Sequence, residues 1–116
     1  MIEMRPLPLV GGSAVGITVD LPRTRLVVAA VPAGYIMCGA LDVALLDRLL
    51  GSRRIVAGRA LGVRTLDDLL VRPLESVTDA ARAAGLHEGM AGAEALQRLL
   101  ALEPQAVSPG SPASRP

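Results

Sequence analysis

Between residues 14 and 20, apolar positions alternate with small or polar ones. Val15, Ile17 and Val19 fall on one side of an extended chain, and Ala14, Gly16, Thr18 and Asp20 on the other. That period of two marks a half-buried strand. Residues 25–31 are apolar on both sides after Arg25, which suits a central strand or one covered by a partner. Leu21-Pro22-Arg23-Thr24 turns the chain between them. Residues 1–9 read as a weaker strand, confined to an edge because Pro6 and Pro8 cannot donate to a ladder. Pro32-Ala33-Gly34 reads as a type I turn, with Pro at its second position and Gly at its fourth. Residues 35–38 then return antiparallel.

The period changes at residue 41. Leu41, Leu45 and Leu49 share one helical stripe, with Leu46 and Leu50 beside it. Asp42 falls in the first turn of this helix, where negative charge is favoured, and Gly51 is read as its end. Ile55 and Val56 make a short strand within residues 54–58, so a right-handed strand–helix–strand crossover is expected. Thr65 is read as the N-cap of a short helix that Pro73 stops. Another helix is expected over residues 77–84, closed by Gly85. A last one over residues 93–102 buries Leu96, Leu99 and Leu100. Residues 104–116 are rich in Pro, Ser, Ala and Gly and read as a disordered tail. A single domain over residues 1–103 is expected.

Composition sharpens this picture. Apolar residues make up 51% of the 116, yet Phe and Trp are absent. A core of Leu, Val, Ile, Ala and Met buries less area per side chain, and a chain of this size already exposes much of its surface. Cover by a second copy, a homo-oligomer, is therefore expected. The 12 basic residues are all Arg and nearly balance 11 acidic ones, and Tyr35 is the only aromatic side chain. Nucleic acid is a disfavoured partner for such a chain. The longest uncharged run, residues 26–41, is shorter than a membrane span and is broken by Pro32, Gly34 and Gly39, so no membrane association is expected. The single cysteine excludes an intrachain disulfide and fits a reducing, cytoplasmic compartment. The first residues show no signal-peptide pattern.

The segment Gly34-Tyr35-Ile36-Met37-Cys38-Gly39-Ala40-Leu41-Asp42-Val43-Ala44 resembles the signature of the YunC-like proteins. Later segments agree, in order: Ala57-Gly58-Arg59-Ala60, Gly62-Val63-Arg64-Thr65, Pro73-Leu74-Glu75-Ser76-Val77-Thr78 and Gly89-Met90-Ala91-Gly92-Ala93-Glu94-Ala95-Leu96. The resemblance implies an α+β fold: a compact two-layer α/β domain with a mainly antiparallel sheet, helices packed on one face, and an oligomeric state. It implies no function, because the family is known as a domain of unknown function, and it carries over no catalytic residues.

Candidate chemistry is sparse. Cys38 stands where strand gives way to helix, a place where unpaired N–H groups can stabilise a thiolate, and Gly39 would let a ligand approach the backbone. It is the candidate catalytic residue; the bland reading is a small buried side chain. Tyr35 could donate a hydrogen bond nearby, although a regular strand would point it away from Cys38. Arg59, Gly62, Arg64 and Thr65 combine glycine, guanidinium groups and a helix start, the ingredients of an anion site. The bland reading there is a bent loop whose Arg residues pair with Asp67 or Asp68. Gly89 to Glu94 reads as an ordinary cap. His87 reads as an exposed loop residue, and one Cys with one His falls short of a metal site. No cofactor is implied. Three functions stay open: an oligomeric module binding a small ligand, an anion among the candidates; a thiol-dependent enzyme using Cys38; and a structural or protein-partner module.

Overall fold

A computed structural model describes residues 1–102. Its centre is one six-stranded sheet in the order β1-β2-β3-β4-β5-β6. Strands β1 (Ile2–Leu9), β2 (Gly12–Leu21), β3 (Thr24–Val31) and β4 (Gly34–Met37) form a meander of antiparallel pairs. Each link is a two-residue turn, pinned by the pairs Leu9↔Gly12, Leu21↔Thr24 and Val31↔Gly34. The turns take the left-handed backbone they need from Gly11 (φ +93°) and Arg23 (φ +64°), and the Pro32-Ala33 turn stands where the sequence puts it. β5 (Ala57–Arg59) pairs parallel to β4, so it cannot follow through a hairpin. The helix α1 (Val43–Leu50) and a 3₁₀ turn (Gly51–Arg53) supply the crossover. β6 (Ser76–Val77) closes the sheet antiparallel to β5.

Helices α2 (Leu66–Val71), α3 (Asp79–Ala83) and α4 (Gly92–Leu100) cover one face. There Leu66, Leu69, Leu96 and Leu99 meet Val27, Ala29 and Ile36, all at or below 2% exposure. This is an α+β architecture with a mostly antiparallel sheet, as expected. On the opposite face α1 stands alone, packing Val43 and Leu46 with Ala57, Tyr35, Met37 and Ile55.

Several elements depart from the sequence reading for local reasons. α1 begins at Val43, because Asp42 is its N-cap and accepts from the Leu45 N–H at 2.9 Å. Gly51 keeps right-handed helical geometry and opens the 3₁₀ turn; the left-handed residue that ends the run is Arg54 (φ +50°). The helix expected over residues 77–84 is split. Val77 belongs to β6, and α3 starts after Thr78, whose hydroxyl caps it by accepting from the Ala81 N–H at 3.1 Å. The N-cap of α4 is Ala91; Gly92 is its first residue and is needed there, since any Cβ would collide with the Leu69 carbonyl. The expected tail, residues 104–116, lies outside the described residues.

β2 holds the largest surprise. It is half-buried, but its buried half is the small one: Ala14, Gly16 and Thr18 lie under the helices, while Val15, Ile17 and Val19 look outward. Gly16 explains this. A Cβ there would stand 2.7 Å from Leu66 and 3.0 Å from Leu7, so the missing side chain is what lets α2 close on the sheet.

Candidate functional site

Cys38 does not stand at a helix start. Gly39, Ala40, Leu41 and Asp42 separate it from α1, and it continues the line of β4 beside β3. Its own N–H donates to the Val27 carbonyl at 3.0 Å, and its Sγ accepts the Val27 N–H at 3.4 Å. The thiol thus takes the place of a backbone carbonyl in the ladder. It is 4% exposed, inside the main core. Tyr35 pairs with Ala57 on the α1 side of the sheet, away from Cys38; burial pushes its phenol pKa upward. Gly39 is exposed, and a Cβ there would meet Leu61 at 3.2 Å.

Arg59 projects on the α1 side. It is tied to Glu75 (Nε to Oε1, 2.8 Å) and donates to the Leu41 carbonyl at 3.0 Å. The same guanidinium, followed by the Ser76 hydroxyl, holds the Glu75 carboxyl below its ordinary range. This cation is already matched. Gly62 takes φ +75° in the loop that leads to α2, facing Arg72. His87 is exposed, its Nδ1 2.9 Å from the Glu88 carbonyl. Among the described residues no three His, Cys, Asp or Glu side chains converge as metal ligands.

Thr65 does line a cavity, whereas Arg64 beside it contributes backbone hydrogen bonds and is not part of the lining. Thr65 caps α2 by accepting from the Asp68 N–H at 3.0 Å, and the Arg64 N–H donates to Asp68 at 3.1 Å. The Arg64 carbonyl in turn accepts from Arg25 Nη1 at 3.1 Å, while Arg25 Nε donates to Asp20 at 2.6 Å. These bonds fix one wall of a groove of about 500 Å³ between the β1–β3 ends and the start of α2. Met1, Glu3, Arg5, Thr18 and Asp67 complete the lining with Thr65 and Leu66, the Met1 ammonium donating to the Asp20 carbonyl at 3.2 Å. Arg5 and Asp67 approach only to 3.7 Å, an ion pair too long for a hydrogen bond, with the Asp67 side chain 85% exposed.

Thr18 is the residue that sequence reasoning passed over. It is 8% exposed, lines the groove, and its hydroxyl makes no hydrogen bond within the described residues. A hydroxyl on the wall of such a groove is free to bond a ligand there. The only hint in the sequence was a hydroxyl on the small side of an otherwise apolar strand.

The comparisons with known proteins agree with the resemblance. The family model described as a domain of unknown function, DUF1805, matches residues 37–99. The chain is 52% identical over 100 residues to the uncharacterized protein YunC of Bacillus subtilis strain 168, covering 86% of this chain and 99% of that one. Its fold is similar to the crystal structure of TA1206, a protein of unknown function from Thermoplasma acidophilum. That match has a TM-score of 0.76 at 25% identity, over 85% of this chain and 93% of the other. The groove, the buried thiol and the sheet described above are therefore those of a member of the DUF1805 family of YunC-like proteins, to which this chain belongs.

Proposed function

We propose that this chain is an oligomeric domain that binds a small polar ligand bearing an anionic group, in the groove between the β1–β3 ends and α2. The observation that carries the reading is the placement of the Thr18 side chain, 8% exposed on the wall of the groove beside Arg5 and Thr65. A ligand oxygen or N–H would bond the Thr18 hydroxyl. Arg5 supplies the cation, because its loose contact to Asp67 is readily exchanged for a ligand carboxylate or phosphate. Arg25 acts as a fixed wall, held by Asp20 and the Arg64 carbonyl. Tyr35 and Arg59 lie on the other face, so the ligand contacts of the site fall to Thr18, Arg5 and Thr65.

Thiol chemistry at Cys38 has less support, since a substrate would have to enter the core to reach Sγ. A reducing cytoplasm is the compartment that suits such a lone buried thiol.

Native mass spectrometry of the freshly purified protein tests the reading, with thermal shift in millimolar inorganic phosphate and citrate. A retained small molecule, or a raised melting temperature in either anion, is expected. Arg5→Ala should weaken that binding about tenfold. Thr18→Val should weaken it by a similar factor while leaving the melting temperature close to that of the native chain, because the side chain keeps its shape. No retained molecule and no shift in either anion would overturn the proposal.

A further inference from the structure

The α1 side of the sheet is covered at one end only. α1 lies over β4 and β5, and β1–β3 remain open beside it. That floor is apolar: Ile2, Met4, Val15, Ile17 and Val19 share it by register, with Ile2 at 69%, Met4 at 65% and Val15 at 45% exposure. It is also free of charge. Glu3, Arg5, Asp20 and Arg25 belong to the opposite face, where Glu3 pairs with Thr18, Arg5 with Gly16, and Asp20 with Arg25. α1 is itself apolar on two sides. Val43 and Leu46 face its own sheet, while Leu45 (36%) and Leu49 (64%) are exposed. A second apolar side on a helix whose first side is already packed calls for a second cover.

We propose that a second copy of this chain covers the face by a two-fold exchange of α1. The axis runs along the strands near the border of β3 and β4. Each α1 then lies over its own β4–β5 and under the β1–β3 floor of the partner, and the two helices form a middle layer between two sheets. The dimensions agree. Three strands are about 14 Å wide, room for one helix about 10–12 Å across. Floor and helix face together present roughly 500 Å² in projection. Corrugation by side chains brings the accessible area toward the ~800 Å² per partner of a standard interface. The contact is isologous, so it closes at two copies. It also accounts for the outward Val15, Ile17 and Val19 of β2. The inference rests on the oligomeric part of the proposed function and is independent of the ligand groove, which opens on the opposite face.

Sedimentation equilibrium at about 50 µM, a concentration that saturates an interface of this size, reads it directly. The native chain should be a dimer. Leu49→Glu and Met4→Arg should each be monomers with native circular dichroism, since both positions already meet water in the single copy. Mixed one to one, these two variants should dimerise again: one of the two reciprocal contacts is then native, and the other sets Glu against Arg. A monomeric native chain would leave the face to a different protein or a lipid surface and overturn the proposal. A higher native oligomer, dimers that survive both substitutions, or a mixture that stays monomeric would overturn it too. Thr18→Val should remain dimeric, so loss of ligand binding and loss of the dimer are read separately.

Discussion

Cys38 shows how a reactive residue type becomes a structural one. Its Sγ accepts a strand N–H and its side chain fills the core, so the thiol has two packing duties and little exposure to solvent. Alkylation of the native protein should therefore be slow and become fast only on unfolding. Cys38→Ala should cost about 1–2 kcal/mol in urea denaturation, through the orphaned Val27 N–H and the space left behind. Glu88 is the residue whose charge the fold perturbs most plainly. Two hydrogen bonds from Arg82, at 2.9 and 2.7 Å, bring its carboxyl down to about 2, with a smaller contribution from its own N–H. A carboxylate with a depressed pKa contributes stability above its ordinary value of ~4.3, and that contribution is lost as pH falls through about 2. A carboxyl-carbon NMR titration should show the low midpoint, and Arg82→Ala should return it toward ~4.3.

At the scale of elements, Thr78 joins three pieces with one hydroxyl. It donates to the Ile55 carbonyl at 2.6 Å, accepts from the Ala57 N–H at 3.2 Å, and caps α3 through the Ala81 N–H. It is 1% exposed, so none of these partners finds water if it is lost. Thr78→Val keeps the shape and should cost about 2–3 kcal/mol, while Thr78→Ser should cost under about 1 kcal/mol; chemical denaturation separates them. Asp47 supports the same helix start from α1 by accepting the Asp79 N–H at 3.0 Å. The crossover helix is thereby tied to the β6 end of the sheet, away from β1–β3.

For the whole molecule, the two faces of the sheet divide the work. One is sealed by three helices and bears the groove at its β1–β3 end. The other carries a single helix and a charge-free floor. Among the described residues no helix is long and apolar enough to cross a membrane. If the floor is closed by a second copy, unfolding and dissociation are linked, and stability depends on protein concentration. A tenfold rise in concentration should lift the melting temperature by roughly 3–5 °C, and Leu49→Glu should remove that dependence.

Much of this was legible along the chain because it is local. Period-two alternation, two-residue turns at Pro and Gly, and the hydroxyl of Thr65 before α2 each depend on neighbours a few residues away. Cys38 was misplaced because its partner, Val27, is eleven residues back on another strand. Residues 77–84 were misread because Val77 is claimed by β5 before the helix can begin. Thr18 is not legible as a groove residue because the groove is made by α2 and the β1–β3 ends, which are far apart in the chain. The sequence alone therefore determined the family, the meander, the turns at Pro22 and Pro32 and the Thr65 cap of α2. Only the tertiary structure decided which side of β2 is buried, on which face α1 lies, and where a groove opens. Those outcomes are set by contacts between segments far apart in the chain: Leu66 settling into the space above Gly16 put the larger apolar side chains of β2 on the open face.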